Sequence, residues 1–338
     1  MPPRSARRRV LVTGAGGPSG ISFMIAARSD EVEFLAADID PYAPGLYLVE
    51  PERRVLLPRG EDPRFARTVL ALCREREIDA LVPTVDCELI ALACIRSELE
   101  NAGTKLLLAP EAALHLCLDK WALLWAMDES VPIPRCELDD GSLDRSTWAL
   151  PAVIKPRSGS GSRGVRVLER WDELDPAPED ERLIQEFLPG REFSLDVLCS
   201  QAGEVLAVVP RERLRLDSGI AITSRTLHDP GLERLGRSAC ELVGMTGVAN
   251  VQVREDVEGV PRLIEINPRF PGTMPLTVAS GINMPKLALG ELLGEPIPAT
   301  RLEFREIAMV RYLAGMVVAA GELADLEATA AAVGAPSW

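Results

Sequence analysis

The 338 residues carry 37 basic and 51 acidic side chains, a net charge of −14, with 47% hydrophobic but only 4% aromatic residues. Such a chain is too long for one ordinary domain and too apolar for disorder, and its acidity argues against general nucleic-acid or membrane-surface binding. An aliphatic-cored α/β protein of two or three units is expected, and an anionic substrate would need a local basic cleft.

The seven cysteines are odd in number and form no C-x-x-C pair. They read as reduced core thiols of a cytoplasmic protein, and with only His115 and His228 to assist, a zinc site is not expected. The basic stretch 1–9 precedes an apolar run that breaks at Gly14, which is neither a signal peptide nor a membrane span.

Residues 10–13 predict a first strand, Gly14, Gly16, Gly17 and Gly20 a tight loop, and residues 21–28 a helix. Strand, glycine loop and helix is the setting in which backbone N–H groups meet phosphate oxygens. A second strand over 34–37 ends at Asp38, where a dinucleotide-binding fold keeps an acid for the ribose. Ser19 holds the last glycine position of G-x-G-x-x-G. A nicotinamide enzyme and a Rossmann-like unit whose loop merely turns tightly therefore both fit. A helix over 65–77 and a strand over 80–84 lead to Asp86 and Glu88. Ligands of open α/β sheets sit beyond the carboxyl ends of strands, so Gly16, Gly17, Asp38, Asp86 and Glu88 would face one crevice. Asp86 fits equally as the cap of a helix over 88–101. A strand over 105–109 and a helix over 111–118 follow.

Asp119-Lys120 opens a helix reaching 127, and the Pro-, Asp- and Ser-rich stretch 130–149 reads as a connector. A strand over 152–156 carries Lys155 near its end. Ser158, Gly159, Ser160, Gly161, Ser162, Arg163 and Gly164 then form a flexible flap between two strands. Its N–H groups and hydroxyls can close over phosphate oxygens while Lys155 supplies a point charge. The G-K-[ST] ending of a Walker A loop is absent, and a plain Gly/Ser hairpin is the alternative.

The strand over 182–188 stops at Pro189-Gly190, a hinge whose exposed backbone groups would meet an adenine edge. Arg211, Arg213 and Arg215 alternate along a later strand and would share one face. That basic stripe suits an anionic substrate, and a salt-bridged edge strand is equally permitted. A helix over 231–243 precedes a hairpin with Gln252 on one strand and Glu265 and Asn267 on the other. At period two, Glu265 and Asn267 project from the same face of an otherwise apolar strand. Such oxygens need a partner, and a hard cation such as Mg2+ is the natural one. A solvated strand edge is the alternative. Beyond Arg269, Gly272 and Thr273 lie in a loop, residues 285–293 form a helix, 304–313 a final strand, and the Ala-rich tail is helical or frayed.

In this order, Asp119-Lys120, Val153-Ile154-Lys155-Pro156 with its flap, Gln185-Glu186-Phe187, Gln252, and Glu265-Ile266-Asn267-Pro268-Arg269 resemble the ATP-grasp superfamily. The resemblance is nearest to its carbamoyl-phosphate-synthase-like and carboxylate–amine ligase branch. It implies an α/β fold, α+β in the ATP-grasp part: a Rossmann-like pre-ATP-grasp domain (1–118) followed by a two-lobed ATP-grasp fold. The small lobe with the phosphate flap would be 119–190, the large lobe with the metal site 191–300, and 301–338 a strand and helical extension.

The implied cofactors are ATP and one or two Mg2+, with Mn2+ able to substitute. Lys120 and Lys155 would bind the phosphates beneath Ser158, Gly159, Ser160, Gly161 and Gly164. Gln185, Glu186, Phe187 and Leu188 would hold adenine, with Glu192 near the adenosine. Gln252, Glu265 and Asn267 would ligate metal, and Arg269, with Lys155 and Glu265, would be catalytic. Gly16, Gly17, Asp86, Arg211, Arg225, Gly272 and Thr273 are candidates for contact with substrate. The implied activity is ATP-dependent ligation of a small carboxylate, such as an amino acid, to an amine through an acyl phosphate. The partners would be those small molecules, with no nucleic acid or membrane and a homodimer as the default oligomer. A carboxylate- or carbamate-phosphorylating enzyme and an idle ATP-binding module are the alternatives. The chain has no internal repeat, which argues against glutamine-dependent carbamoyl phosphate synthesis.

Overall fold

Three sheets organise the described residues. The computed structural model describes residues 7–141, 143–159, 161, 163–175, 181–217, 219–297 and 302–333. The first sheet contains β1 (Arg8–Thr13), β2 (Val32–Asp38), β3 (Arg54–Leu56), β4 (Ala80–Pro83) and β5 (Lys105–Leu106), all parallel, in the order β3-β2-β1-β4-β5. Helices α1 (Pro18–Ala26), α2 (Phe65–Glu75), α3 (Asp86–Cys94), α4 (Arg96–Asn101) and α5 (Glu111–Leu118) accompany it. Leu11, Leu35 and Leu81 enter one core cluster, and Val10, Val12, Ala36 and Val82 enter another. Both faces are thus covered, which explains the unbroken apolar runs of these strands. The strand order reverses between β1 and β4, so a crevice opens at their carboxyl ends.

Gly14 turns the chain there at φ +62°. Asp38 closes the loop by accepting the Gly16 N–H at 2.7 Å. The acid that a dinucleotide site would offer to a ribose is used inside the loop itself. The helix expected over 88–101 is two helices, broken at Ile95.

After α6 (Lys120–Trp125), the second sheet is antiparallel: β6 (Cys136–Asp139), β7 (Ala152–Pro156), β8 (Arg166–Leu168) and β9 (Arg182–Glu186), in the order β6-β9-β7-β8. Its small core contains Trp148, Ala152, Ile154, Leu168, Leu174 and Ile184. The stretch expected as a connector therefore holds a strand. Its Cys-Glu-Leu-Asp sequence does alternate apolar and acidic residues, but over only four positions inside a Pro-, Asp- and Ser-rich stretch. It is held by pairing to β9 and by a buried ion pair between Asp139 and Arg182 at 2.7 Å.

The third sheet is antiparallel and has six strands: β10 (Glu192–Cys199), β11 (Val205–Asp217), β12 (Ile220–Thr226), β13 (Gly247–Glu255), β14 (Pro261–Asn267) and β15 (Ala308–Val310). Their order is β14-β13-β10-β11-β12-β15. Phe193, Leu195, Val197, Val251 and Val253 share a core with Leu232, Leu235 and Ala239 of α7 (Pro230–Val243). On the opposite face the alternate residues are polar around Ser194, Asp196, Asn250 and Gln252, while Leu198 and Val209 join the other core cluster. Gln252 pairs with Ser194 and Glu265, Asn250 with Asp196 and Asn267, and Arg213 with Ser224.

The three arginines expected on one face are not. A register shift between Arg213 and Arg215 places Arg215 opposite Thr223, so it leaves the face shared by Arg211 and Arg213. Helices α8 (Met274–Ser280) and α9 (Met284–Leu293) follow the sheet. The tail forms α10 (Ala320–Val333), which returns to the first sheet through Glu322–Arg54 at 2.7 Å and Tyr42–Glu327 at 2.8 Å. Among the described residues no helix is long and apolar enough to cross a membrane.

Candidate active site

A cleft of about 540 Å³ lies between the polar face of the third sheet, strands β7 and β9, and the carboxyl ends of β1 and β4. Among the described residues Lys120, Lys155, Arg163, Arg213, Arg254 and Arg269 line it against Asp86, Glu192 and Glu265. In a chain of net charge −14 this excess of cations marks a site for an anion.

Lys155 is buried in β7 and donates to Gln185 Oε1 at 2.6 Å. Burial pushes its pKa down to about 8; Cys136 and Glu265 oppose that shift, and Lys120 adds to it. Lys120 Nζ donates to the Gly159 carbonyl at 2.6 Å. Asp119 caps α6 by accepting from the N–H groups of Trp121 and Ala122, and it also clamps Arg157. The start of α6 and the base of the flap are therefore tied together. Ser158, Gly159 and Gly161 line the cleft, whereas Ser160 lies outside the described residues. Gly159 and Gly161 adopt φ of +124° and +68° with open space where a Cβ would stand, so backbone conformation rather than room requires glycine. Gly164 does not line the cleft; it packs on Pro156.

Gln185, Phe187 and Leu188 line the other end. Glu186 does not. Its Oε2 accepts the Arg135 N–H at 3.1 Å, because consecutive strand residues point to opposite faces and Gln185 takes the inner one. Glu192 lines the cleft, held at 2.5 Å by Arg213 Nη1.

Gln252, Glu265 and Asn267 all line the cleft from adjacent strands. Asn267 Nδ2 donates to Glu265 Oε1 at 3.0 Å, Arg213 Nη1 to Gln252 Oε1 at 3.0 Å, and Arg269 Nη2 to Asn267 Oδ1 at 3.4 Å. Each side-chain group of the set thus has an oxygen that already meets a polarised hydrogen. Of the three only Glu265 is charged, and among the described residues no cluster of three His, Cys, Asp or Glu is placed for a metal ion. One carboxylate with neutral oxygens suits Mg2+ that completes its shell with phosphate and water. Glu265 and Asn267 fit such an ion, while Gln252 would first exchange its bond to Arg213.

Arg269 is gripped at two points by Asp86, with both bonds at 2.8 Å. This overturns the capping reading of Asp86. The residue before α3 is Val85, and no side chain caps that helix. Gly17, Gly272 and Thr273 line the cleft, but Gly16, Arg211 and Arg225 do not. A Cβ on Gly16 would strike Ala43. Arg225 pairs with Glu212 on the opposite face of the sheet, at 2.8 Å. Arg211 is fully buried, with Nε and Nη2 on Asp196 at 2.9 and 2.6 Å. Asp196 also accepts from Asn250 and Thr277. Reading the sequence missed Asn250, although its spacing of two from Gln252 places it on the same face.

Residues 179–316 match a family model described as ATP-grasp in the biosynthetic pathway with Ter operon, and residues 10–107 match the PylC-like N-terminal domain. D-alanine–D-alanine ligase of Pediococcus pentosaceus is 26% identical over 212 residues, covering 56% of this chain and 60% of the ligase. The carbamoyl phosphate synthase large chain of Xylella fastidiosa is 26% identical over 330 residues, covering 85% of this chain and 30% of the synthase. The matched stretch thus spans less than two thirds of either relative. The biotin carboxylase of Campylobacter jejuni has a TM-score of 0.70 at 16% identity, covering 86% of this chain and 72% of the carboxylase. At that identity the likeness is one of fold.

Proposed function

The chain belongs to the ATP-grasp superfamily, and on that premise we propose that it is an ATP-dependent carboxylate–amine ligase acting through an acyl phosphate. The observation that carries the proposal is the meeting of Glu265, Asn267 and Arg269 with two buried lysines in one cationic cleft. The likeness to a D-alanine–D-alanine ligase supports amino acids or small carboxylic acids as the substrate class.

In this reading Phe187 and Leu188 pack on the adenine, and Lys120 and Lys155 draw the phosphates beneath the flap. Glu265 and Asn267, joined by Gln252, would hold Mg2+, which when bound neutralises phosphate charge. A substrate carboxylate oxygen attacks the γ-phosphorus, and the bond to the β-bridging oxygen breaks with release of ADP. Arg269 stabilises the charge on the phosphoryl oxygens in flight. The amine nitrogen then attacks the acyl carbon, phosphate departs, and the amine loses one proton. Closure of the flap keeps water from the acyl phosphate.

The test is phosphate release with amino acids and small carboxylic acids, singly and in pairs. A ligase releases phosphate only with an acid and an amine together and yields an amide. Phosphate release with an acid alone, and no amide with any amine, would identify a phosphorylating enzyme instead. Glu265→Ala should abolish turnover. If ATP binds but no acid and amine elicit phosphate release, the chain is a binding module.

A further inference from the structure

On the polar face of the third sheet, beyond Gly272, lies a group of donors that the nucleotide chemistry does not use. Among the described residues Arg211 Nη1, Ser224 Oγ and Arg311 Nε are buried without a hydrogen-bond partner, as is Arg213 Nε beside them. Arg211 and Ser224 are each 0% exposed. The register brings these residues together. Arg211 lies opposite Thr226, Arg213 opposite Ser224, and Ser224 opposite Met309, two residues before Arg311. The Arg311 N–H extends the pairing by donating to the Ile222 carbonyl at 2.8 Å. At period two these side chains share one face.

Buried polar atoms are nearly always paired, so several orphans side by side describe the place of an acceptor. The charge balance gives its sign. Asp196 offsets Arg211, but among the described residues Arg311 has no ion-pair partner, and the charged neighbour it feels is Arg211. The location gives its role. Arg311 Nη2 donates to the Gly272 carbonyl; Gly272 and Asn250 line the cleft, and Asn250 pairs across the sheet with Asn267, a hydrogen-bond partner of Arg269.

We propose that Arg211, Ser224 and Arg311 form a carboxylate-binding subsite for the carboxylate that a substrate keeps through the reaction, distinct from the one phosphorylated. The proposal rests on the ligase reading for its role, though not for the presence of an anion. Two guanidinium groups and a hydroxyl match the planar, two-oxygen shape of a carboxylate. The carboxylate belongs either to an α-amino acid serving as the amine or to a dicarboxylic acid serving as the acid. The subsite also gives the C-terminal segment a task, since β15 leads directly into Arg311.

Two measurements test this. Crystals of the full chain soaked in sodium bromide should show an anomalous peak within hydrogen-bond reach of Arg211 Nη1, Ser224 Oγ and Arg311 Nε. The peak should vanish in Arg311→Met. No peak in the native protein, or one that persists in the variant, overturns the subsite whether or not the chain is a ligase. In turnover, replacing the retained carboxylate by a carboxamide should lower kcat/KM roughly 100-fold. Alanine against alaninamide reads the amine, and succinate against succinamate reads the acid. In Arg311→Met the preference for carboxylate over carboxamide should collapse to near one, mainly through KM, and Arg311→Lys should restore part of it. Ser224→Ala, which removes only a hydroxyl, should weaken the preference about tenfold. A preference that survives Arg311→Met overturns the proposal. If bromide binds as expected while no pair releases phosphate, the anion site stands and the ligase reading fails.

Discussion

Arg269 and Asp86 meet as a two-point ion pair, Nε on Oδ1 and Nη2 on Oδ2, each at 2.8 Å, across 183 residues of sequence. One lies two residues beyond β14 of the third sheet and the other at the start of α3, at the crevice of the first. The pair is mostly buried, with side chains 18% and 14% exposed. A planar guanidinium held on one edge keeps a fixed direction for its remaining donors, which a flexible cation would not. Asp86 thus positions Arg269. In the proposed ligase reaction, where Arg269 acts on the phosphoryl in flight and not on bound ATP, Asp86→Asn should lower kcat about 10- to 100-fold while leaving ATP affinity within about threefold. Arg269→Lys should lower kcat similarly, and the double variant should be little worse than either single one. Fully additive losses in that cycle would show that the two residues act independently.

The pKa of Lys155 falls from the usual 10.5 to about 8, chiefly through burial. The phosphates of ATP favour its charged form. ATP affinity should therefore hold between pH 6.5 and 7.5 and weaken by about tenfold per pH unit above 8. Binding at pH 8 should take up protons, which calorimetry in buffers of different ionisation enthalpy measures. Lys155→Met should bind weakly with no such pH dependence. The effect on stability has the opposite sign. From pH 8 to 10.5 the unfolded chain still holds a proton that the folded chain has lost, so this group makes the ligand-free protein more stable as pH rises.

Much of the cleft is legible because its signals are local. The alternation around Glu265 and Asn267 fixes their common face, and Gln252 falls on the partner strand within one short hairpin. Lys155 stands beside glycines that adopt positive φ. The features that were not legible depend on distant partners or on irregularities. Nothing near Asp86 announces an arginine 183 residues away. The register shift that turns Arg215 outward has no composition signal. Strand β6 is only four residues long, half of them acidic, and rests on Arg182. Arg311 follows a three-residue strand whose pairing with β12 only the folded sheet reveals. The orientation of Glu186 was different: alternation with Gln185 already places it on the outer face.

Glu88, expected to face the crevice, does not line the cleft; it is almost wholly buried beside the end of β1 and accepts the Thr13 hydroxyl at 2.5 Å. Burial raises its pKa from 4.5 to about 8; the Thr13 bond opposes that shift, and Asp38, Glu61 and Asp86 reinforce it. Between those values the folded chain keeps a proton that the unfolded chain has released, so stability falls as pH rises through that window. Glu88→Gln removes the slope, and its amide oxygen can still accept from Thr13. The variant should gain up to about 3 kcal/mol at pH 7 and almost nothing at pH 4.5. Urea unfolding at the two pH values measures this, and an equal gain at both would assign the effect to packing instead of ionisation.

Gln252 stands where its oxygen can serve either Arg213 or a cation, and Arg213 holds it at 3.0 Å. Mg2+ binds a carboxylate more strongly than a carboxamide, and the set has only Glu265 as a charged member. Gln252→Glu should therefore lower the Mg2+ concentration giving half-maximal phosphate release by about tenfold, even though Arg213 also gains from the new charge. Arg213 is already committed to Glu192 at 2.5 Å, which limits its competition for the new carboxylate. Asn267→Ala should raise the Mg2+ requirement by a similar factor, and removal of the metal with EDTA should stop turnover in every variant. A Mg2+ titration of Gln252→Glu that matches the native protein would leave Gln252 as a partner of Arg213 and reduce the metal's protein ligands to Glu265 and Asn267.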